Sequence, residues 1–192
     1  MDLQKFAESL LEPEQDERLE ILKYFTARVG GTANRRQEIY FRALRHSCPK
    51  IEIIEGYYLK TKTEMVPVDP RLGNKIEVWK HEEKGSDVNL AIHMVDDAWR
   101  NKYDLALIVT NDGDLHGAVQ LVRHRYNDMR IRVGVVPSLG GDRKISRVLK
   151  KVSDFRRNIS REVSLEPAQL PDHIPGKELR KPNKWIGEGE GR

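Results

Sequence analysis

Three aspartates at two places in the chain have the residue type and spacing needed to bind a divalent cation. Asp112 and Asp114 lie in the segment TNDGDL, with Gly113 between them, and Asp87 lies in the segment EEKGSDVNLA. Two carboxylates held so close repel each other unless a cation or a proton separates them. Mg²⁺ and Mn²⁺ prefer oxygen ligands of this kind. The aspartates therefore predict a metal-binding acidic site.

Helix capping is the competing explanation for each aspartate. Asn and Asp are favoured where a helix begins, which explains one acid of TNDGDL well but two acids and a glycine less well. For Asp87 taken alone capping is the better explanation, because Ser86 is a suitable N-cap and the helix dipole favours a first-turn acid. Glu82 and Glu83 precede this helix, and at most one of them can face the site, since adjacent side chains of an extended segment point to opposite faces.

Alternating helices and strands are predicted to position these acids. The hydrophobic periodicity predicts helices at 2–11, 34–46, 86–102, 114–126 and 145–155, and strands at 19–29, 51–59, 75–80, 105–110 and 131–136, with 60–75 as a polar loop or hairpin. This alternation predicts an α/β fold with a mostly parallel sheet and helices on both faces. Ligands of such sheets bind at the carboxyl ends of the strands, which is where TNDGDL falls.

The predicted helix 86–102 carries an apolar stripe at helical period. Its members are expected to face the core: Val88, Ala91, Ile92, Val95, Ala98 and Trp99. Asp96, Asp97 and Asp104 are expected to lie on the solvated surface. His93 could approach the acidic site from this helix, but a surface histidine is the favoured interpretation.

Length and composition fit one domain with an appended tail. The chain has 192 residues, of which 38% are hydrophobic and 33% charged. We expect a domain at 1–163 and an extended, Pro-rich basic tail at 164–192, with Trp185 and Ile186 as a docking anchor. The apolar runs are far shorter than the roughly 20 residues that span a bilayer, no signal peptide is recognised, and the single Cys48 forms no internal disulfide. A cytoplasmic location is therefore expected.

Positive charge is concentrated late in the chain, although the formal net charge is only +4. Such clusters are typical of polyanion binding, and a solvated basic helix face is the alternative that charge alone leaves open. The candidate nucleic-acid-binding residues are Arg143, Lys144, Arg147, Lys150 and Lys151. Tyr57, Tyr58 and Trp79 are candidates for stacking on bases, but the sequence does not place them at the acidic site.

The segments EEKGSDVNLAIHMVDDAW and YDLALIVTNDGDL together resemble the NYN-domain family, a branch of the PIN-like nuclease superfamily. The segments YFTARV, RQEIYFRAL, IEIIEGYYL and LPDHIPGKELRKPNKW are similar to the same family, so the resemblance covers nearly the whole chain. It implies a cluster of acids at the carboxyl edge of the sheet, and metal-dependent cleavage of single-stranded or structured RNA with Mg²⁺ or Mn²⁺.

The resemblance also implies roles for individual residues. Asp87, Asp112 and Asp114 match the family's acids and are the expected catalytic and metal-binding residues, with Glu83 as a further candidate ligand. Ser86, Thr110 and Asn111 are expected to support them. His93 departs from the family, since many relatives place a further aspartate there.

The start of the chain departs further from the family. Its members usually open with an apolar central strand that ends in an aspartate within a DGxN pattern, and we find no such motif between Met1 and Val29. We therefore expect the fold to lack the family's first central strand, either as an N-terminally short version or as a depleted relative. Loss of that strand would leave backbone groups unpaired, so the chain should be unstable, form a homodimer or close the sheet differently.

Three functions compete at this point. The first is a metal-dependent ribonuclease, in which the bound ions activate water and the basic stretch holds the RNA backbone. The second is a catalytically depleted RNA-binding or regulatory module of the same fold. The third, a phosphotransfer receiver-like domain, is disfavoured because 135–139 supplies no lysine after the later strand.

Overall fold

The computed structural model describes residues 1–30, 32–125, 131–137 and 146–185, and this part of the chain contains five α-helices and six strands. The helices are α1 (Leu3–Glu8), α2 (Thr32–Ser47), α3 (Ser86–Trp99), α4 (His116–Arg125) and α5 (Arg147–Val152). The strands are β1 (Leu22–Arg28), β2 (Ile51–Met65), β3 (Ile76–Lys84), β4 (Leu105–Val109), β5 (Arg132–Val136) and β6 (Phe155–Arg156).

The strands form two sheets of three. In the first sheet β1 pairs in parallel with β2, and β2 pairs antiparallel with β3. In the second sheet β5 lies between β4 and β6 and is parallel to both. Within the described ranges β1 and β4 each have one neighbour, so each sheet ends in a parallel strand with a free edge.

The predicted α/β class with parallel strands and flanking helices is confirmed. The structure has two sheets where a single sheet was expected. The last helix also ends earlier than predicted, at Val152. The segment Phe155–Arg156 is a strand because Asp154 and Arg157 donate backbone N–H bonds to the carbonyls of Val133 and Val135. Of the loop or hairpin expected at 60–75, the structure shows a hairpin, because β2 continues to Met65 and pairs with β3 from Ile76 onward.

The main core lies on one face of the second sheet. Fully buried side chains of α4 and α5 pack there on Val133 and Val135 of β5, and α3 contributes Met94 and Ala98. On the opposite face Val136 contacts Phe6 and Leu10 from the chain's beginning. The second sheet therefore has helical cover on both faces, as the alternating pattern predicts. A smaller cluster joins α2 to Ile174 and Leu179.

The apolar stripe predicted for α3 was wrong in part. Val88, Ile92 and Trp99 are 59–63% exposed, whereas Met94 and Ala98 are buried. The buried face of α3 differs from the predicted face because the helix packs both on β1 and β2 of the first sheet and on α4.

Asp97 is buried rather than solvated, which corrects the sequence-based expectation. Its side chain forms an ion pair with Lys23 of β1 and another, of 3.1 Å, with Lys102. Burial by itself would raise the pKa of Asp97, but the hydrogen bonds and charges of the two lysines outweigh it and lower the pKa. Asp97 therefore fastens α3 to β1.

The segment after residue 163 packs on the domain instead of extending from it. His173 and Arg180 form a β-bridge, and Ile174 and Leu179 between them are buried against Ala43 of α2. Trp185 meets the Tyr40 ring edge-on, with 6.1 Å between the ring centroids, and Ile186 lies outside the described residues. In the described ranges we find no helix with the length and apolarity needed to cross a membrane.

Candidate functional site

The TNDGDL segment leaves the carboxyl end of β4 as a tight loop that its own side chains hold. The backbone N–H of Thr110 donates to the Val136 carbonyl at 3.0 Å, which continues the sheet by one residue. The Asp112 N–H then donates to Thr110 Oγ1, and the Asp114 N–H donates to Asp112 Oδ1, each at 3.0 Å. Asp112 therefore accepts a hydrogen bond from a backbone N–H just ahead of α4, which agrees in part with the capping explanation. The side chains of Asp112 and Asp114 are nevertheless exposed.

Gly113 permits a close approach between this loop and the start of α5. A Cβ at Gly113 would lie 2.6 Å from Ser146 Oγ and 3.2 Å from the Ser146 Cβ. The backbone N–H of Ser146 donates to the Asn111 carbonyl at 3.3 Å. The sequence reasoning missed Ser146, although a serine ahead of a helical repeat is a recognisable signal. These contacts place the first turn of α5 beside the acidic loop.

The second acidic segment sits at the junction of β3 and α3. Gly85 has a φ of +96°, a left-handed conformation that lets the chain turn directly from strand to helix. The helix begins at Ser86, so Ser86 is not the N-cap residue that we predicted, and Gly85 occupies that position without a side-chain cap. Ser86 Oγ is buried with no hydrogen-bond partner among the described residues.

The acidic groups of the two segments lie within electrostatic range of one another. Partial burial raises the pKa of Asp87, and the negative charges of Asp112, Glu83 and Asp114 raise it further. The two motifs follow β3 of the first sheet and β4 of the second, and their acids interact although Asp87 and Asp112 are 25 positions apart in the sequence. We call the region where these two strands end the acidic edge. Glu83 contributes to this field, whereas Glu82 forms a 2.7 Å ion pair with Lys80. This division follows from their opposite orientations on β3.

The acids do not form a ready-made coordination shell. Among the described residues no three carboxylate, imidazole or thiol groups converge closely enough to hold a metal ion. The donor set still fits a divalent cation in its chemistry, because all the groups are oxygen donors and a cation would relieve the repulsion that adds to burial in raising the pKa of Asp87.

His93 lies away from these acids. Its Nδ1 is 3.1 Å from Lys23 Nζ, and its ring contacts Phe25 with 5.7 Å between the centroids. The departure from the family at this position therefore falls within the contact between α3 and β1.

The basic stretch divides into residues with different roles. Arg147, Lys150 and Lys151 lie on α5 at spacings of three and four, so they share one side of the helix that starts beside TNDGDL. Arg143 and Lys144 lie outside the described residues. Arg157, which follows these residues in the same basic part of the sequence, has a side chain that is 9% exposed and forms a bidentate ion pair with the buried Glu17 carboxylate at 2.7 Å. It is therefore a structural residue.

The fold and its acidic edge define an α/β domain of the PIN-like nuclease class. The chain belongs to the NYN domain family, whose model matches residues 16–159. Nucleases of this class typically act on RNA and use divalent metals.

A similar protein is named as a monooxygenase and not as a nuclease. The chain is 39% identical over 184 residues to 6-hydroxy-3-succinoylpyridine 3-monooxygenase HspA of Pseudomonas putida (strain DSM 28022 / S16). The match covers 88% of this chain but 58% of that protein, so the chain spans less than two thirds of the relative's length.

Proposed function

We propose that this protein is a metal-dependent ribonuclease that hydrolyses RNA phosphodiester bonds at the edge formed by Asp87, Asp112 and Asp114. The observation that supports the proposal is that the charges of Asp112 and Asp114 act on Asp87, which lies in a separate segment, within the fold of a nuclease family. Capping explains each aspartate singly, but it does not explain why both motifs end at the same edge.

The residues of the acidic edge would have different roles in the reaction. Asp87, Asp112 and Asp114, with Glu83 beside them, would hold Mg²⁺ or Mn²⁺, which supplies an activated water and offsets the charge that builds on the scissile phosphate. The Thr110 hydroxyl and the backbone of TNDGDL fix the Asp112 carboxylate in place. A carboxylate held in this way needs little reorganisation when the ion and the substrate bind.

The basic side of α5 supports an RNA substrate. Arg147, Lys150 and Lys151 lie on the helix that begins next to Gly113, so they would contact phosphates on the strand that enters the acidic edge. Arg143 and Lys144 precede this helix in the sequence and remain candidates from the sequence alone.

The test is Mn²⁺-dependent cleavage of a single-stranded RNA by the wild type and by Asp112→Asn. The amide keeps the oxygen that accepts the Asp114 N–H, so the loop should stay folded while a charged ligand is lost. We expect cleavage to fall by at least a hundredfold. The matched control is Asp104→Asn, an exposed acid at the opposite end of β4, which should cleave like the wild type.

Two results would refute the ribonuclease. Equal cleavage by wild type and Asp112→Asn would assign the activity to another site or to a contaminant. Salt-sensitive RNA binding by the wild type without any metal-dependent turnover would instead support the depleted RNA-binding module.

A second candidate function, oxygenation of an aromatic acid, is favoured by the 39% identity to the monooxygenase. A cavity of about 330 Å³ between α2 and the C-terminal segment has the size for a single-ring compound. Its lining includes Tyr40 and Trp185 together with Arg180 and Lys181, which suit a ring that bears a carboxylate.

The two candidate functions give different results in one assay. A monooxygenase transfers one atom of O₂ to its substrate and reduces the other atom to water, with electrons from a donor such as NADH. We would follow NADH oxidation and O₂ uptake with 6-hydroxy-3-succinoylpyridine. Turnover that is unchanged in Asp112→Asn would support oxygenation away from the acidic edge, and absence of turnover in the wild type would refute it.

A further inference from the structure

The hairpin of β2 and β3 has one face whose side chains are all exposed. In an antiparallel pair, directly opposed residues place their side chains on the same face, and every second residue shares that face. The register pairs Lys62 with Trp79, Lys60 with His81 and Tyr58 with Glu83. We call the surface formed by these six residues the ribbon face.

The opposite face of the hairpin is only partly exposed. Thr61, Val78, Glu82 and Lys84 on that face are partly buried, whereas Tyr57, Leu59 and Lys80 are exposed. The ribbon face is exposed at all six of its residues and places two aromatic rings beside two lysines. Trp79 is 56% exposed and Tyr58 is 43% exposed.

The cations on the ribbon face surround its largest ring. Lys60 Nζ lies 4.4 Å and Lys62 Nζ 5.7 Å from the centroid of Trp79. Lys62 also forms a 2.8 Å ion pair with Glu77, whereas Lys60 has no carboxylate partner among the described residues. An aromatic ring beside an uncompensated ammonium offers a base a stacking surface and its phosphate a counter-charge.

The ribbon face leads to the acidic edge. Trp79, His81 and Glu83 follow one another on the same side of β3, and Glu83 is one of the charges that raise the pKa of Asp87. Four residues of strand span about 14 Å, so Trp79 lies a few nucleotides from the acids. A single strand stacked at Trp79 and Tyr58 would therefore be directed towards Asp87.

We infer that the ribbon face binds single-stranded RNA by base stacking on Trp79 and Tyr58, with Lys60 on the backbone, and guides it to the acidic edge. The inference rests on the proposed ribonuclease for the fate of the strand, but RNA binding itself needs no metal. Duplex RNA is a poor fit, because its bases are already stacked on each other and cannot lie on these rings.

Binding is measured by fluorescence anisotropy of a labelled 12-nucleotide oligouridine with the full chain in EDTA. Stacking of one base corresponds to a roughly 5-fold to 100-fold loss of affinity in Trp79→Ala, while Trp79→Phe keeps a ring and should recover most of the affinity. Lys60→Ala should lower the slope of log K against log salt concentration by about 0.7, the value for one phosphate contact to a single strand.

The neighbouring tyrosines supply a matched control. Tyr57 is 61% exposed, more than Tyr58, but lies on the opposite face, opposed to Lys84. We expect Tyr58→Ala to weaken binding severalfold and Tyr57→Ala to leave it unchanged. Equal loss in both variants would overturn the inference, as would wild-type affinity in Trp79→Ala, absence of RNA binding, or equal affinity for duplex RNA.

The same measurements separate this inference from the ribonuclease. Binding in EDTA that depends on Trp79 and Tyr58, without Mn²⁺-dependent cleavage, would keep the ribbon face and refute the nuclease. Cleavage that is lost in Asp112→Asn but whose kcat/KM and RNA affinity are unaffected by Trp79→Ala would keep the nuclease and refute the ribbon face.

Discussion

The substitution Gly56→Ala tests how the hairpin and α3 are joined. A Cβ at Gly56 would lie 2.3 Å from the carbonyl oxygen of Lys84 and 3.3 Å from the backbone nitrogen of Ser86. Carbon and oxygen need about 3.3 Å even in close contact, so the two backbones must separate by about 1 Å. No side-chain rotation can relieve the clash, because the atoms that Cβ meets belong to the main chain.

The magnitude follows from this geometry. Overpacking of a well-fitted site costs about 1–3 kcal/mol, and a domain of this size loses about 2–4 °C of midpoint temperature per kcal/mol. We therefore expect Gly56→Ala to lower the free energy of unfolding by about 2 kcal/mol. Because the displaced segment is Lys84 to Ser86, the acidic edge should move with it, and metal-dependent cleavage should fall more than stability alone explains.

Thermal and urea unfolding followed by circular dichroism measure the effect. The control is Gly117→Ala on α4, where an added Cβ meets nothing within 4 Å and the variant should gain roughly 0.4–1 kcal/mol. A Gly56→Ala protein as stable as the wild type would show that β2 and the β3–α3 junction do not meet as described.

Three further predictions concern stability. Arg157→Ala should lower the free energy of unfolding by about 1.5–3 kcal/mol, because it removes the bidentate partner of Glu17 and leaves Arg132, at 3.2 Å, as its cation. Since the hydrogen bond from Arg157 lowers the pKa of Glu17, the pair stabilises the protein above pH 4.5, and the difference from wild type should shrink as pH falls through that lowered pKa. Asp87→Asn should raise the unfolding midpoint at pH 7, because burial and nearby acids raise the pKa of Asp87 and its charge destabilises the fold at neutral pH; a gain that persists below pH 3.8, where the wild-type carboxyl is protonated, would contradict this reasoning. Leu149→Ala should lower the free energy of unfolding in urea by about 2–5 kcal/mol, since the side chain is fully buried in the main core, and a cost below 1 kcal/mol would show that α5 is loosely packed.

The secondary structure near the acids was predictable because short, strongly patterned segments determine it locally. The buried run of β4, the TNDGDL turn and the start of α3 all carry signals within a few residues. Burial on α3 was not predictable in the same way. The choice between Ile92 and Met94 as a core residue depends on the first sheet and on α4, which both pack on the helix, and periodicity alone cannot identify both partners.

Charge was the least predictable feature of the site. Arg157 and Lys151 look equivalent in a basic run of the sequence, yet Arg157 is buried against Glu17 from the opposite end of the chain and Lys151 is exposed.

The length of β2 beyond Leu59 was also not predictable, because it depends on cross-strand pairing with β3, which brings polar residues into strand conformation. Such outcomes follow from contacts between distant segments and carry no local signature.

The two sheets are each built from one continuous stretch of chain. The first forms within 22–84 and the second within 105–156, so either can assemble from contacts that close short loops. The halves are then joined by α3 and by contacts between the two ends of the chain, such as the Asp2 N–H to the Ala168 carbonyl and the Glu17–Arg157 pair. In native-state hydrogen exchange the protein should therefore open in two cooperative units, with those end-to-end contacts released before either sheet.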